Sequence, residues 1–155
     1  MQPFKKPLSL RRRARVLQTT PERSALMAAV RQTGTTAELT VRRIARSLGI
    51  RYTLSNRDLP GSPDLANRSR RFAVLVHGCF WHRHADCAKT TTPRRNRSFW
   101  LDKFDANMRR DARTVSELRR LGYRVIVIWE CEVSDQERVA RRLRPLQSDL
   151  QEGAL

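Results

Sequence analysis

The sequence predicts an α/β domain, a mixed sheet flanked by helices. Three observations predict it. Two short apolar runs, Phe72-Ala73-Val74-Leu75-Val76 and Val125-Ile126-Val127-Ile128-Trp129, have the length and β-branched content of buried strands. The segments around them carry apolar residues at helical spacing. The resulting order is helix, helix, strand, strand, strand, helix, strand, helix, which interleaves the two element types. With 155 residues and 39% hydrophobic content, the chain suits one domain with one core.

Residues 1 to 18 carry Lys5, Lys6, Arg11, Arg12, Arg13 and Arg15 without apolar patterning and read as a flexible basic arm. Thr20-Pro21-Glu22 opens a helix, with Thr as cap, Pro at the first position and an acid in the first turn. It runs to about Arg31, with Leu26, Met27 and Val30 apolar. Thr36 caps a second helix over Ala37 to Leu48, with Leu39, Ile44 and Leu48 inward and Gly49 as its stop. Ile50 to Leu54 alternates like a first strand. Leu59-Pro60-Gly61-Ser62-Pro63-Asp64 turns into a short strand, Asp64 to Ala66, and Asn67 to Arg71 connects it to the Phe72 to Val76 strand.

Ser98 caps a long helix, Phe99 to Leu121, with Leu101, Phe104, Met108, Ala112, Val115 and Leu118 as its stripe. Tyr123 to Trp129 is the last strand and Ser134 to Leu146 the last helix. The domain is therefore expected over residues 19–148, with a frayed tail over 149–155.

The formal net charge is +17, from 32 Lys and Arg against 15 Asp and Glu. Such an excess points to a polyanion, most often nucleic acid, with a merely solubilising surface as its rival. No apolar run approaches the ~20 residues of a spanning helix, so no membrane role is expected. Three cysteines, an odd number, argue against a closed disulfide framework and suit a reducing cytosol.

All three histidines and two of the three cysteines fall between His77 and Cys87. Cys79-x4-His84-x2-Cys87 places three ligands in one loop, and Cys131 follows the last strand. Four N/S ligands suit a closed tetrahedral zinc site, a staple across two strand ends; three buried free cysteines are the rival. Pro63-Asp64, one hairpin before an apolar strand, resembles the start of a pattern in many metal-dependent nucleases. Asp64 would hold Mg²⁺. The following strand usually ends acid-x-Lys, but here it reads Leu75-Val76-His77. Val76 could then offer only its carbonyl oxygen, which leaves proton chemistry to His77 and His82. A turn aspartate and a core histidine are the rival readings. Glu38 could approach the site or simply complement the helix dipole. Asn107 and Asp111 share a helix face, where Asp111 could orient a histidine and Asn107 bond a phosphate. Trp81 and Trp100 suggest rings wedged between base steps, whereas Phe99 is expected in the core.

These residues carry a family resemblance. Leu59 to Asp64, His-Gly-Cys-Phe-Trp-His at 77–82, Phe99-Trp100, Asn107, Asp111 and Trp129-Glu130-Cys131 resemble the very short patch repair (Vsr) endonucleases, as do Arg23-Ser24-x-x-Met27 and Glu38 upstream. The resemblance spans roughly Thr20 to Cys131. It implies a restriction-endonuclease-like fold and a Mg²⁺-dependent enzyme that nicks double-stranded DNA 5′ to the thymine of a T:G mismatch left by 5-methylcytosine deamination. It implies that Asp64 and the Val76 carbonyl bind Mg²⁺, that His82 is the general base, and that His77, Glu38 and Asp111 support it. Phe80, Trp81 and Trp100 would form the wedge, and Met27 would enter from the other groove. Cys79, His84, Cys87 and Cys131 would hold Zn²⁺. A monomer in the bacterial cytoplasm, at the nucleoid and with mismatch-repair proteins as candidate partners, fits that picture. A zinc-stapled DNA-binding module, or a related nuclease making double-strand breaks, would share parts of this pattern.

Overall fold

The computed structural model describes residues 19–29 and 33–147. The expected basic arm, the end of the first helix at Val30 and Arg31, and the tail from 149 lie outside the described residues. Helices α1 (Pro21–Ala28) and α2 (Thr36–Ser47) come first. Strand β1 (Leu65–Asn67) leads into β2 (Phe72–His77), then a single helical turn α3 (Cys79–His82). The long α4 (Arg97–Arg120) crosses to β3 (Arg124–Trp129). A 3-10 turn, Glu130–Ser134, precedes α5 (Gln136–Leu143), and a second, Arg144–Leu146, follows it.

The sheet has the order β1-β2-β3, with β1 antiparallel and β3 parallel to β2. The pairing of Val76 with Ile128 and His77 with Trp129 brings both strands to an end side by side. Alternation along β2 divides the core. Phe72 and Val74 pack with Val41, Ile44, Val139 and Leu143 of α2 and α5, and half-buried Val76 packs against that cluster. Ala73 and Leu75 pack with Leu118 and Tyr123 on the α4 side. Helices therefore cover both faces, as expected of a mixed α/β chain.

Several boundaries differ from expectation for physical reasons. Ile50 to Leu54 is not a strand: Ile50 is buried, and only Thr53 pairs, in an isolated bridge with Ala66. Ser55, at φ 56°, turns the chain away immediately afterwards. Thr35, not Thr36, caps α2, because its side chain accepts the Glu38 amide at 3.3 Å. Leu39 is 52% exposed, and Val41, Ile44 and Ala45 form the buried face instead. Helix α4 starts at Arg97, after Asn96 in the left-handed region, so Ser98 lies inside it. Its apolar stripe is narrower than its composition suggests: Phe104 and Leu118 are buried, while Leu101, Met108 and Ala112 face solvent. The last helix, expected over Ser134 to Leu146, is α-helical only over Gln136–Leu143, and Asp135 caps it, accepting the Arg138 amide at 2.9 Å.

Candidate functional site

Asp64 is set in place by a polar hub. Asn56, 1% exposed, donates from Nδ2 to the carbonyls of Thr53 and Pro63, both at 2.9 Å, and accepts from Thr53 Oγ1 at 2.6 Å. The loop before it also seats on α4. Gly61 has φ +69°, and a Cβ there would come within 2.2 Å of Thr114 Cγ2, so no larger residue fits without displacing the loop. The Asp64 carboxylate accepts the Val76 N–H at 2.7 Å, tying β1 to the end of β2. Burial pushes this carboxyl up to about 6, and neighbouring Glu38 adds to the rise against the pull of the Val76 amide. A buried acid that resists ionisation beside a second acid is a setting that a cation would relieve.

The alternation of β2 places Val76 on the α2 side and His77 on the α4 side. Helical turn α3 then returns His82 over His77. The two imidazoles stack with centroids 4.0 Å apart at 11°. His82 Nδ1 lies 2.5 Å from Asp111 Oδ2. This contact fixes the ring and aims Nε2 away from the carboxylate. His77 is 8% exposed, and burial, with His82 beside it, holds it down to about 4, so it is neutral at pH 7. His77, His82 and Asp111 bring three ligand-type atoms within 4.8 Å of one another.

Glu38 is 5% exposed and closes the N-terminus of α2. It accepts from the Gly34 amide at 2.8 Å and Thr35 Oγ1 at 3.1 Å, and pairs with Arg42 at 3.3 Å. The capping role weighed against a catalytic one is thus present, yet Glu38 also lines a cleft with Val76, Gly78 and His82. Asn107 donates to the Trp81 carbonyl at 3.1 Å, so this amide braces α3.

The second cluster forms on the other side of Trp129. Ligand atoms of Cys79, His84, Cys87 and Cys131 all lie within 4.8 Å of one another. Cys131 Sγ is 3.2 Å and Cys79 Sγ 3.8 Å from His84 Nδ1. A tetrahedron with ~2.0–2.3 Å metal–ligand bonds has edges of about 3.3–3.8 Å, so the four residues could hold one metal ion. Burial pushes the Cys79 thiol up to about 12, whereas the Lys89 amide beside Cys87 brings that thiol down to about 7. Three sulfur donors this close can all be deprotonated only with a cation among them. The Trp129 indole stacks on His84 at 4.3 Å and meets the His77 ring edge-on at 5.4 Å, so one ring separates the clusters.

Beyond α3 the aromatic residues form a connected group. Phe80 meets Trp81, Trp100 and Phe104 edge-on, and Lys103 Nζ stands 5.3 Å from the Trp81 centroid and 5.8 Å from that of Trp100. Phe104 is the buried member. Phe99 is not in the core as expected. At the first turn of α4 it lines a groove of about 660 Å³ with Trp100, Lys103, Arg94, Arg95 and Met27 of α1.

Comparison with known proteins assigns the arrangement. The family described as DNA mismatch endonuclease Vsr matches residues 16–89. The type II nicking enzyme V.XorIIP of Xanthomonas oryzae pv. oryzae is 43% identical over 125 residues, covering 80% of this chain and 91% of that protein. The chain belongs to the Vsr family. It is also 34% identical over 117 residues to the DNA mismatch endonuclease Vsr of Escherichia coli, covering 76% of this chain and 74% of that protein. The type II nicking enzyme V.NmeAIP of Neisseria meningitidis is 34% identical over 134 residues, covering 86% of this chain and 95% of that protein. The protein is a DNA endonuclease with a Cys/His set able to hold a metal ion. Among the described residues no helix is long and apolar enough to cross a membrane.

Sequence reasoning missed parts of this Vsr site. Asn56 sits in a polar stretch that reads as an ordinary turn, and nothing local signals its burial. Glu132, 6% exposed, accepts the Trp129 amide at 2.8 Å and pairs with Arg142 at 2.7 Å and Arg138 at 3.3 Å. It holds the turn that presents Cys131. Its spacing to the cysteine in Glu130-Cys131-Glu132 was the available signal.

Proposed function

We propose that this Vsr-family endonuclease nicks one strand of duplex DNA on the 5′ side of the thymine in a T:G mismatch, with Mg²⁺ as the catalytic cation and Zn²⁺ as the structural one. The fold on this reading is restriction-endonuclease-like. The observation that carries it is the His82–Asp111 pair, 2.5 Å apart, at the strand end where Asp64 is bonded to Val76. Asp64 and the Val76 carbonyl would hold Mg²⁺, which would supply charge neutralisation at the phosphodiester and help activate water. His82 Nε2 takes the proton of the attacking water, and Asp111 keeps that imidazole in the right tautomer. His77, neutral at pH 7, stacks on His82 and supports the phosphate, and Glu38, in the same cleft, would support the metal site.

Phe80, Trp81 and Trp100 enter the stack as a wedge, with Asn107 bracing Trp81 through its carbonyl. Unstacking costs a few kcal/mol per step and less at a mismatch, which couples wedge insertion to the damaged pair. Met27 and its helix close from the other groove. Cys79, His84, Cys87 and Cys131 bind zinc; their soft donor set and near-tetrahedral spacing support this. The enzyme acts as a monomer at the bacterial nucleoid, where mismatch-repair proteins are candidate partners.

The test is a strand-labelled cleavage assay on duplexes bearing T:G mismatches in varied flanks, beside matched controls, with and without Mg²⁺. A Mg²⁺-dependent nick 5′ to the mismatched thymine is expected. Cutting of matched DNA on both strands would move the protein to a double-strand nuclease. Binding in every flank without cutting would leave a DNA-binding module.

A further inference from the structure

The cleft beside the end of β2 contains a cation that none of the roles above uses. Its volume is about 650 Å³, and its lining includes Glu38, Val76, Gly78, His82, Lys89 and Glu130. Among the described residues, Lys89 is the one Lys or Arg in that lining. Its ammonium lies 2.9 Å from Glu130 Oε1.

Both members of the pair are positioned by the Cys/His set. Lys89 follows Cys87 by two residues, and Glu130 immediately precedes Cys131. The chain at Lys89 is pinned on its far side by Thr90: its amide donates to the Cys87 carbonyl at 2.9 Å, and Oγ1 lies 2.7 Å from His84 O and 3.2 Å from Cys79 O. The residues that could grip one metal ion therefore also aim a lysine into the neighbouring cleft. The two side chains are 54% and 43% exposed, and an ion pair this open contributes little to stability. Folding energy alone does not account for its location.

Phosphodiester hydrolysis gathers negative charge on the phosphoryl oxygens in the transition state, and a prepositioned donor there is worth about 10²–10³ in rate. The end of β2, Leu75-Val76-His77, supplies no lysine for that task. We propose that Lys89 is the phosphate-binding cation of this cleft, exchanging Glu130 for a non-bridging oxygen of the strand being cut, with Glu130 holding its side chain ready in the free enzyme. This rests on the nicking reading above.

The experiment compares wild type, Lys89→Met and Lys89→Arg on a T:G duplex, with single-turnover nicking at saturating enzyme and Kd measured separately. Lys89→Met is expected to slow nicking by about 10²-fold while Kd changes by less than about 3-fold. Lys89→Arg should recover part of the rate. Unchanged nicking by Lys89→Met, or equal losses in rate and affinity, overturns the proposal; the second result would make Lys89 a general backbone contact. Wild-type nicking, measured alongside, tests the parent reading by itself.

A binding arm works without cleavage. Duplexes with a single uncharged methylphosphonate are walked along the strand around the mismatch, in Ca²⁺. One position should weaken wild type by no more than the roughly 3-fold that Lys89→Met itself loses, and leave Lys89→Met unaffected, a coupling that purely structural damage does not produce. If no position shows that dependence, Lys89 does not bind a phosphate. Metal content and melting temperature of Lys89→Met should match wild type.

Discussion

Two clusters of histidine chemistry stand at the same strand end, and one indole divides them. On one side Cys79, His84, Cys87 and Cys131 offer four N/S ligand atoms; on the other, His77, His82 and Asp111 offer three with an acid among them. They are interleaved along the chain, at 77 and 82 against 79, 84 and 87, and α3 sorts them to opposite sides of Trp129. The first set is complete in itself: four soft or borderline donors leave no vacancy on a tetrahedral ion. The second is incomplete. His82 is tied at Nδ1 and its other nitrogen is turned away from that tie. On the proposed reading, one short stretch of chain yields a device that holds and a device that reacts, and the side chains' partners decide which is which.

The comparison breaks most sharply at Asp64. Asp64→Ala should abolish nicking while mismatch binding stays within a few-fold, since the fold does not need the charge; a nicking Asp64→Ala enzyme would remove the proposed Mg²⁺ site. His82→Ala should cost about 10²–10⁴ in single-turnover rate with metal content unchanged, the range for loss of a general base. The opposite pattern belongs to the other cluster. Cys131→Ser should lose the bound metal, measured by atomic absorption, and lower Tm by about 10 °C or more, with activity falling only through the folded fraction. Retained metal and Tm would show that the four residues are a thiol cluster and not a staple. A smaller effect is expected at Asp111→Asn: about 10–100-fold in rate through a mis-set His82, with DNA affinity preserved.

The mildest effect is on stability, and its sign is specific. The folded Asp64 carboxyl, raised to about 6, binds its proton more tightly than an unfolded aspartate near 4. Without divalent metal, stability is therefore lost as pH rises from about 4 through 6. Asp64→Asn removes this penalty and keeps an acceptor for the Val76 amide. Urea unfolding of the metal-free proteins should find the variant more stable at pH 7 by up to about 3 kcal/mol, and equal to wild type below pH 4. A less stable variant at pH 7 would mean that Asp64 is held ionised by its surroundings.

What could be read from the sequence follows from how local each signal is. Strands β2 and β3 were legible because unbroken runs of Val, Ile and Leu have few other destinations. The His77-to-Cys87 stretch was legible because imidazoles, thiols and indoles are scarce and here concentrated. Ile50 to Leu54 misled because alternation is also what a buried anchor followed by a turn produces. Leu39, Leu101 and Met108 were expected inward because composition marks them apolar, but each lies just off its helix's buried face. Asn56 and the Lys89–Glu130 pair left no local trace. Each acts through a partner brought close only by the fold, 7 residues away from Asn56 at Pro63 and 41 apart for the ion pair. Polar networks of this kind have no period to detect.

The placement of Trp129 makes the wall between the clusters an optical reporter. An indole stacked at 4.3 Å on His84 will have its emission quenched according to the charge on that imidazole. Binding or stripping the metal changes what that imidazole carries, so emission should differ between the two states. Only Trp81 and Trp100 compete for the signal in this chain of three tryptophans. Replacing both with phenylalanine leaves a single lamp that reads the state of the staple from within, in real time.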